Sequence, residues 1–218
     1  MGHIAHRALA RDPRDRPAWA RLGRARWLID KYKAGSEEAL RSADGAFQTA
    51  LRLNPDLTMA HNAYTQLQVD QGRSLDALKR LLDRGRRRSD AELFAGLGHV
   101  CRCCGLLQAA LRAQQEAHRL DPSILTTINH TYFMLGDYQK ALDTSGGDFG
   151  YAEGVMLSAL GRTEEAIAKL RRSEEIIWRL GRLYVISLRA LLEGNREESL
   201  QACEELRKAT FRDPEGIY

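Results

Sequence analysis

Apolar residues recur along this chain at spacings of three and four, the period of an amphipathic helix, and no stretch shows the alternation of a strand. Phe94, Leu97, Cys101 and Cys104 form one stripe, Leu107, Leu111 and Ala117 a second, and Gly105 lies between them. The same unit recurs: a stripe, a glycine, and a small residue five positions later. The pairs are Gly72/Ala77, Gly105/Ala110, Gly136/Ala141, Gly161/Ala166 and Gly194/Ser199, with glycine-to-glycine steps of 33, 31, 25 and 33 residues. Regular self-similarity of this kind marks a repeat array.

The physics of one unit is a helical hairpin. Its first helix ends at the glycine, which can adopt the left-handed conformation of a helix C-terminus. A short turn follows, as in Gly72-Arg73-Ser74, Gly136-Asp137-Tyr138 and Gly161-Arg162-Thr163. The small residue then lets the second helix cross closely over the first. In Thr163-Glu164-Glu165-Ala166 the hydroxyl is expected to cap the second helix, with the acids complementing its dipole. Asn54-Pro55 and Asp121-Pro122 close two units, because proline cannot extend a helix.

Trp19-x2-Leu22-Gly23, followed by Ala43-x3-Phe47 and Pro55, resembles the tetratricopeptide (TPR) pattern, as does Phe94-x2-Leu97-Gly98-x2-Cys101 followed by Ala110 and Pro122. The resemblance implies an all-α, right-handed superhelix of antiparallel helix pairs running as a single array over residues 1–218. The expected units are 1–15 (partial), 16–57 (lengthened), 58–90, 91–122, 123–147 (shortened), 148–178, 179–212 and the start of a truncated unit at 213–218. In the shortened unit the second helix is cut to Tyr138–Thr144, and Ser145-Gly146-Gly147-Asp148-Phe149-Gly150 replaces its end. Trp178 and Leu206 stand in for less bulky residues. Partial units at both ends read as a piece of a longer array. Phe94–Leu111, His130–Leu142, Ser187–Leu200 and Phe211–Gly216 are also similar to repeat regions that trail the catalytic domains of some bacterial serine/threonine kinases and nucleotide cyclases.

Composition narrows the function classes. No run of 18 uncharged apolar residues suggests a transmembrane helix, and Met1–Arg7 lacks the apolar run of a secretory signal. Cys101, Cys103, Cys104 and Cys203 do not form a disulfide framework, so reduced thiols and a cytoplasmic location are expected. Residues 1–90 carry 18 basic and 11 acidic side chains, whereas 91–218 carry 15 and 18. The basic run Lys79-Arg80, Arg84 and Arg86-Arg87-Arg88 reads as a solvated helix end whose cations complement the C-terminal dipole. Nucleic acid is disfavoured, because Tyr64, the nearest aromatic, occupies a packing position.

Catalytic and metal chemistry find little footing. His99 and Cys103 share a helix face, but Cys101 points elsewhere and four convergent ligands are lacking, so no metal site is expected. The acid pairs Glu37-Glu38, Glu164-Glu165, Glu174-Glu175, Glu197-Glu198 and Glu204-Glu205 diverge around their helices and do not form a general acid/base pair. Phosphate-loop, dinucleotide-binding and nucleophile-elbow motifs are absent. No enzyme activity and no cofactor are expected.

The TPR resemblance implies that the first helix of each unit lines a concave groove. Carried over, it names Arg24, Asn62, Gln66, Val69, His99, Arg102, His130, Phe133, Met134 and Tyr151 as partner-binding candidates. Ala20, Asp70, Glu92, Ala95, Cys103, Thr126 and Val155 occupy neighbouring groove positions. A clamp for a peptide's terminal carboxylate is disfavoured, since Glu92 would repel it. The expected function is a non-catalytic scaffold binding a protein or peptide segment. Alternatives are a regulatory segment of a kinase or cyclase, and a module that self-associates through its terminal units. Arg24, Arg102 and the histidines suggest acidic or neutral partner groups at the middle units, with apolar anchors at Phe133 and Tyr151.

Overall fold

The computed structural model describes residues 2–32, 37–146, 151–177 and 179–209. About four fifths of these are helical, in thirteen helices: α1 Gly2–Arg11, α2 Arg16–Tyr32, α3 Glu37–Leu53, α4 Thr58–Asp70, α5 Ser74–Gly85, α6 Ala91–Cys103, α7 Leu107–Leu120, α8 Ile128–Met134, α9 Tyr138–Thr144, α10 Tyr151–Ala159, α11 Thr163–Ile176, α12 Arg179–Leu192 and α13 Arg196–Lys208. No strand occurs among the described residues. The chain is an all-α helical repeat. Residues 147–150 of the expected glycine turn, Trp178 and the truncated unit at 213–218 lie outside the described residues.

The structure forms two compact units, Met1–Thr127 and Ile128–Tyr218. In the first, α2/α3, α4/α5 and α6/α7 are hairpins, and α1 packs on α2. The first helices also pack on one another, α2 on α4 and α4 on α6, so they form one layer of that unit. In the second, α8/α9, α10/α11 and α12/α13 are hairpins, and α10 packs on α12.

One joint builds five of these hairpins. Gly72, Gly105, Gly136, Gly161 and Gly194 all have φ between 71° and 79°, where a side chain would be strained. The next residue's N–H reaches back five positions each time: Arg73 to the Gln68 carbonyl (2.7 Å), Leu106 to Cys101 (2.8 Å), Asp137 to Tyr132 (3.0 Å), Arg162 to Leu157 (2.9 Å) and Asn195 to Ala190 (2.8 Å). These bonds satisfy carbonyls that the helix end leaves open. The small residues after each joint, Ala77, Ala110, Ala141, Ala166 and Ser199, are all buried. At the crossings a glycine often faces the partner helix. A Cβ on Gly23 would lie 3.0 Å from the Phe47 ring, and one on Gly154 would lie 2.5 Å from Leu170.

Local capping departs from expectation at Thr163. The N-cap of α11 is Arg162, Thr163 is already inside the helix, and the cap has no side-chain hydrogen bond. Asp90 and Asn195 do cap their helices, accepting from the Leu93 and Glu198 N–H groups. The first unit's core is tied across hairpins by aromatic and polar contacts. Phe47 stacks on Tyr64 at 5.3 Å, the Tyr64 hydroxyl donates to Asp44 (2.9 Å), and the Trp27 indole donates to Asp70 (2.7 Å).

Candidate partner-binding cleft

The layer of first helices carries a cleft of about 260 Å³ within the first unit. Asn62, Thr65 and Gln66 of α4 form one wall, and Glu92, Ala95, Gly96 and His99 of α6 form the other. Leu125, Thr126 and Thr127, in the segment between α7 and α8, close one end. These positions fall on one side because residues three and four apart share a helix face. Gly96 lines the cleft, and a Cβ there would stand 3.3 Å from the Leu81 side chain.

The closing segment is held in place from α7. Asp121 accepts from both the N–H and the hydroxyl of Ser123 (2.9 and 2.7 Å), which turns the chain after the helix. His118 Nε2 contacts the Ile124 carbonyl (3.1 Å) and the Thr126 hydroxyl (3.3 Å), and Gln114 donates to the Thr127 hydroxyl (3.2 Å). Gln114 is itself fully buried against Gly98. Leu125 is 92% exposed at the rim.

Asn62, Gln66 and His99 therefore come together in one cleft, with Glu92, Ala95 and Thr126 beside them. The Asn62 amide donates to Glu92 (3.0 Å) and is thereby committed to that carboxylate. Among the lining residues Glu92 is the only Asp or Glu, and no Lys or Arg lines the cleft. Arg102 lies beside it rather than in it, with Nη2 3.3 Å from His99 Nδ1 and Nε buried without a hydrogen-bond partner. The lining itself therefore carries one carboxylate, Glu92, with the Arg102 guanidinium next to His99 at its edge. Arg24 is exposed on α2, and Val69 is half-buried on α4. Ala20, a groove position by the pattern, is instead buried against Ala50 and Ala60.

His130, Phe133, Met134 and Tyr151 belong to the second unit. Phe133 packs on Tyr138 (5.9 Å), Tyr151 stacks on Tyr184 (5.9 Å), and Met134 is 49% exposed. That unit has its own cleft between α9, α10 and α11, where Glu153 pairs with Lys169 (2.5 Å), and none of these four residues lines it. Thr65, Leu125 and Thr127 line the first unit's cleft without having been singled out in the sequence. The Asp121-Pro122 stop followed by five residues before α8 was the signal for the last two.

Cysteine chemistry is subdued. All four cysteines are free thiols, and burial raises the pKa of Cys101 and Cys104. The exposed Cys103 has its sulfur 4.0 Å from His99 Nε2. Among the described residues no group of three or more His, Cys, Asp or Glu is placed to hold a metal ion. No helix among them is long and apolar enough to cross a membrane.

The basic run is a solvated helix end only in part: Lys79, Arg86, Arg87 and Arg88 are exposed, but Arg80 and Arg84 are not. Arg84 is fully buried, with Nη2 donating to Asp90 (2.8 Å) and Thr58 (3.2 Å). Arg80 is turned inward against α4. Its guanidinium donates to Gln68 from Nε (3.1 Å) and Nη2 (2.9 Å), to the Thr65 hydroxyl from Nη2 (2.9 Å), and meets His61 Nδ1 from Nη1 (2.6 Å). It also lies 4.8 Å from the Tyr64 ring centroid.

With the hairpins and the cleft described, the class is clear: an all-α protein of repeated helix pairs, whose sequence pattern resembles TPR repeats. No family model and no curated protein matches the chain. Solved structures similar to it include YrrB, described as a TPR protein with an unusual peptide-binding site (17% identity over 94% of this chain and 91% of that one, TM-score 0.41). Another is PilW, described as a widely conserved type IV pilus biogenesis factor (15% identity over 94% of this chain and 82% of that one, TM-score 0.44).

Proposed function

We propose that this chain is a non-catalytic interaction scaffold that takes up a segment of a partner protein in the α4–α6 cleft. One observation supports this reading: side chains from two consecutive first helices and a pinned loop line a single open cleft, and most are neutral hydrogen-bonding groups. Gln66, His99, the Asn62 side-chain carbonyl and the Thr126 and Thr127 hydroxyls offer donors and acceptors that an extended backbone can use, while Ala95 and Gly96 add little bulk to the lining. Glu92 selects against a carboxylate and for a neutral or basic partner group, because like charges at close range cost several kcal/mol of specificity.

Peptides selected on this chain from a random displayed library test the reading. They should be richer in Lys and Arg than in Asp and Glu. They should also lose about tenfold or more in affinity for a Gln66→Ala/His99→Ala double variant, the loss of one or two anchoring contacts. An Arg172→Ala change in the second unit should leave them bound. Selected peptides that bind wild type and the double variant equally would place the site elsewhere.

A further inference from the structure

A second cleft of about 530 Å³ opens on another face of α4, walled by α3 and α5. Gln48, Leu51 and Arg52 come from α3, His61, Tyr64 and Gln68 from α4, and Arg80, Asp83 and Arg87 from the α5 side. Its charge is lopsided. Three arginines face one carboxylate, and that carboxylate, Asp83, is shared with Arg86 outside the lining (3.3 Å).

Arg80 is the unusual member. All its partners are uncharged: the Gln68 amide oxygen, the Thr65 hydroxyl, His61 Nδ1 and the Tyr64 ring face. Hydrogen bonds of this kind satisfy the N–H groups without neutralising the charge, and a desolvated, uncompensated cation is costly. Desolvation by burial lowers its pKa to about 10, so it still carries its charge at neutral pH. Arg52 is exposed at the mouth and, among the described residues, has no carboxylate partner. Arg87 holds its place through the Pro55 and Asp83 carbonyls (3.2 and 3.3 Å) and a long contact to Asp56 (3.4 Å).

We propose that this α3–α5 cleft binds the carboxylate side chains of an acidic protein segment, with Arg52, Arg80 and Arg87 supplying the countercharge and Leu51 and Tyr64 an apolar wall. Guanidinium groups suit carboxylates because both are planar and can form charge-assisted hydrogen bonds. Nucleic acid fits less well. Single strands need free aromatic faces for their bases, and Tyr64 is buried between Phe47 on one contact and Arg80 on another. This site is separate from the α4–α6 cleft and does not depend on it.

A fluorescent octapeptide of alternating Glu and Leu, its Gln-for-Glu counterpart and a twelve-residue oligo-dT are suitable probes. The Glu peptide should bind at least about tenfold more tightly than the Gln peptide at low salt, and the gap should narrow as salt screens the charges. Arg52→Gln with Arg87→Gln should lower its affinity about tenfold, whereas Arg21→Gln with Arg112→Gln, two exposed arginines elsewhere in the unit, should not. Arg52 and Arg87 are exposed, so these variants keep the fold testable where Arg80→Met could disturb it. Equal binding of the two peptides, equal losses from the two arginine pairs, or tighter binding of oligo-dT than of the Glu peptide would each overturn the proposal.

Discussion

Arg80 in the first unit and Arg189 in the second both sit between helices, yet their surroundings are opposite. Arg189 of α12 is met by three carboxylates: Glu174 at Nε (2.9 Å), Glu193 at Nη1 (2.6 Å) and Glu198 at Nη2 (2.6 Å). The Glu198 hydrogen bond, followed by those from Glu193 and Glu174, outweighs burial and raises its pKa. Arg80 meets only neutral acceptors, and burial lowers its pKa. The α11–α13 arginine is a closed tie, its charge spent inside the fold. The α4–α5 arginine is equally well hydrogen-bonded but leaves its charge for something outside. Hydrogen-bond satisfaction and charge compensation are different accounts, and these two arginines keep them differently.

The largest effect should come from opening the closed tie. Arg189→Ala leaves Glu198 without a cation among the described residues, and Glu193 and Glu174 with only Arg171 (2.8 Å) and Arg182 (3.6 Å). It should cost about 3 kcal/mol, the range for removing one partner of a buried ion network. Chemical denaturation measures it, and a loss below about 1 kcal/mol would mean that the tie is solvated. Next in size is an acid effect in the first unit. His61 is buried, with Nε2 on the Pro55 carbonyl (2.8 Å) and Nδ1 facing Arg80, and burial first, then the nearby Arg80, Arg84 and Arg87 charges, lower its pKa to about 4. Unfolded, it titrates near 6.5, so between those values the unfolded state holds more protons and stability falls as pH falls. Relative to His61→Gln, wild type should lose about 3 kcal/mol from pH 7 to pH 4, by the linkage of about 1.4 kcal/mol per pKa unit. A pH-independent difference between the two would show that His61 is not held neutral.

Backbone architecture should not distinguish the units. Ala110→Leu in the first and Ala166→Leu in the second each force bulk into a closed helix crossing and should cost a similar amount, about 2 kcal/mol. Melting temperatures that diverge widely between the two variants would show that the crossings differ as much as the polar chemistry does. Arg80→Met should cost less than Arg189→Ala, about 1 kcal/mol, since it removes a desolvated charge while leaving acceptors unpaired. If the two arginine variants proved equally damaging, the contrast between the ties would be lost. Arg86→Ala, at an exposed pair with Asp83, should change stability least, within the scatter of surface substitutions.

The repeat was legible because it is written in backbone requirements. A glycine forced to positive φ and a small residue at a crossing are local necessities, and all five pairs appear at the predicted positions. Asn62, Gln66 and His99 were legible through the TPR resemblance, which implies that first helices share one side; periodicity by itself joins only Asn62 and Gln66 on α4. Arg80 and Arg84 were misread because a run of cations is solvated by default, and their partners, Thr65, His61, Gln68, Thr58 and Asp90, lie on neighbouring elements. Ala20 was misread as groove because its burial depends on Ala50 and Ala60 in adjoining helices. Thr163 was misread as a cap because the turn after Gly161 is one residue shorter than that role requires.

The five positive-φ glycines also say where this gene can drift. Every single-base change in a glycine codon that alters the amino acid yields a residue with a Cβ or a stop, so at these joints nearly every such change carries a left-handed strain of about 1–2 kcal/mol. For Gly72, Gly105, Gly136, Gly161 and Gly194 that strain is conformational, because a Cβ there would meet no neighbouring atom within 4 Å. Neighbouring positions cannot relieve it by repacking. The helices between the joints are under no such rule, as the seven-residue α8 and α9 beside the seventeen-residue α2 and α3 already show. Substitutions and length changes should therefore accumulate in the helices, while the joints stay as they are.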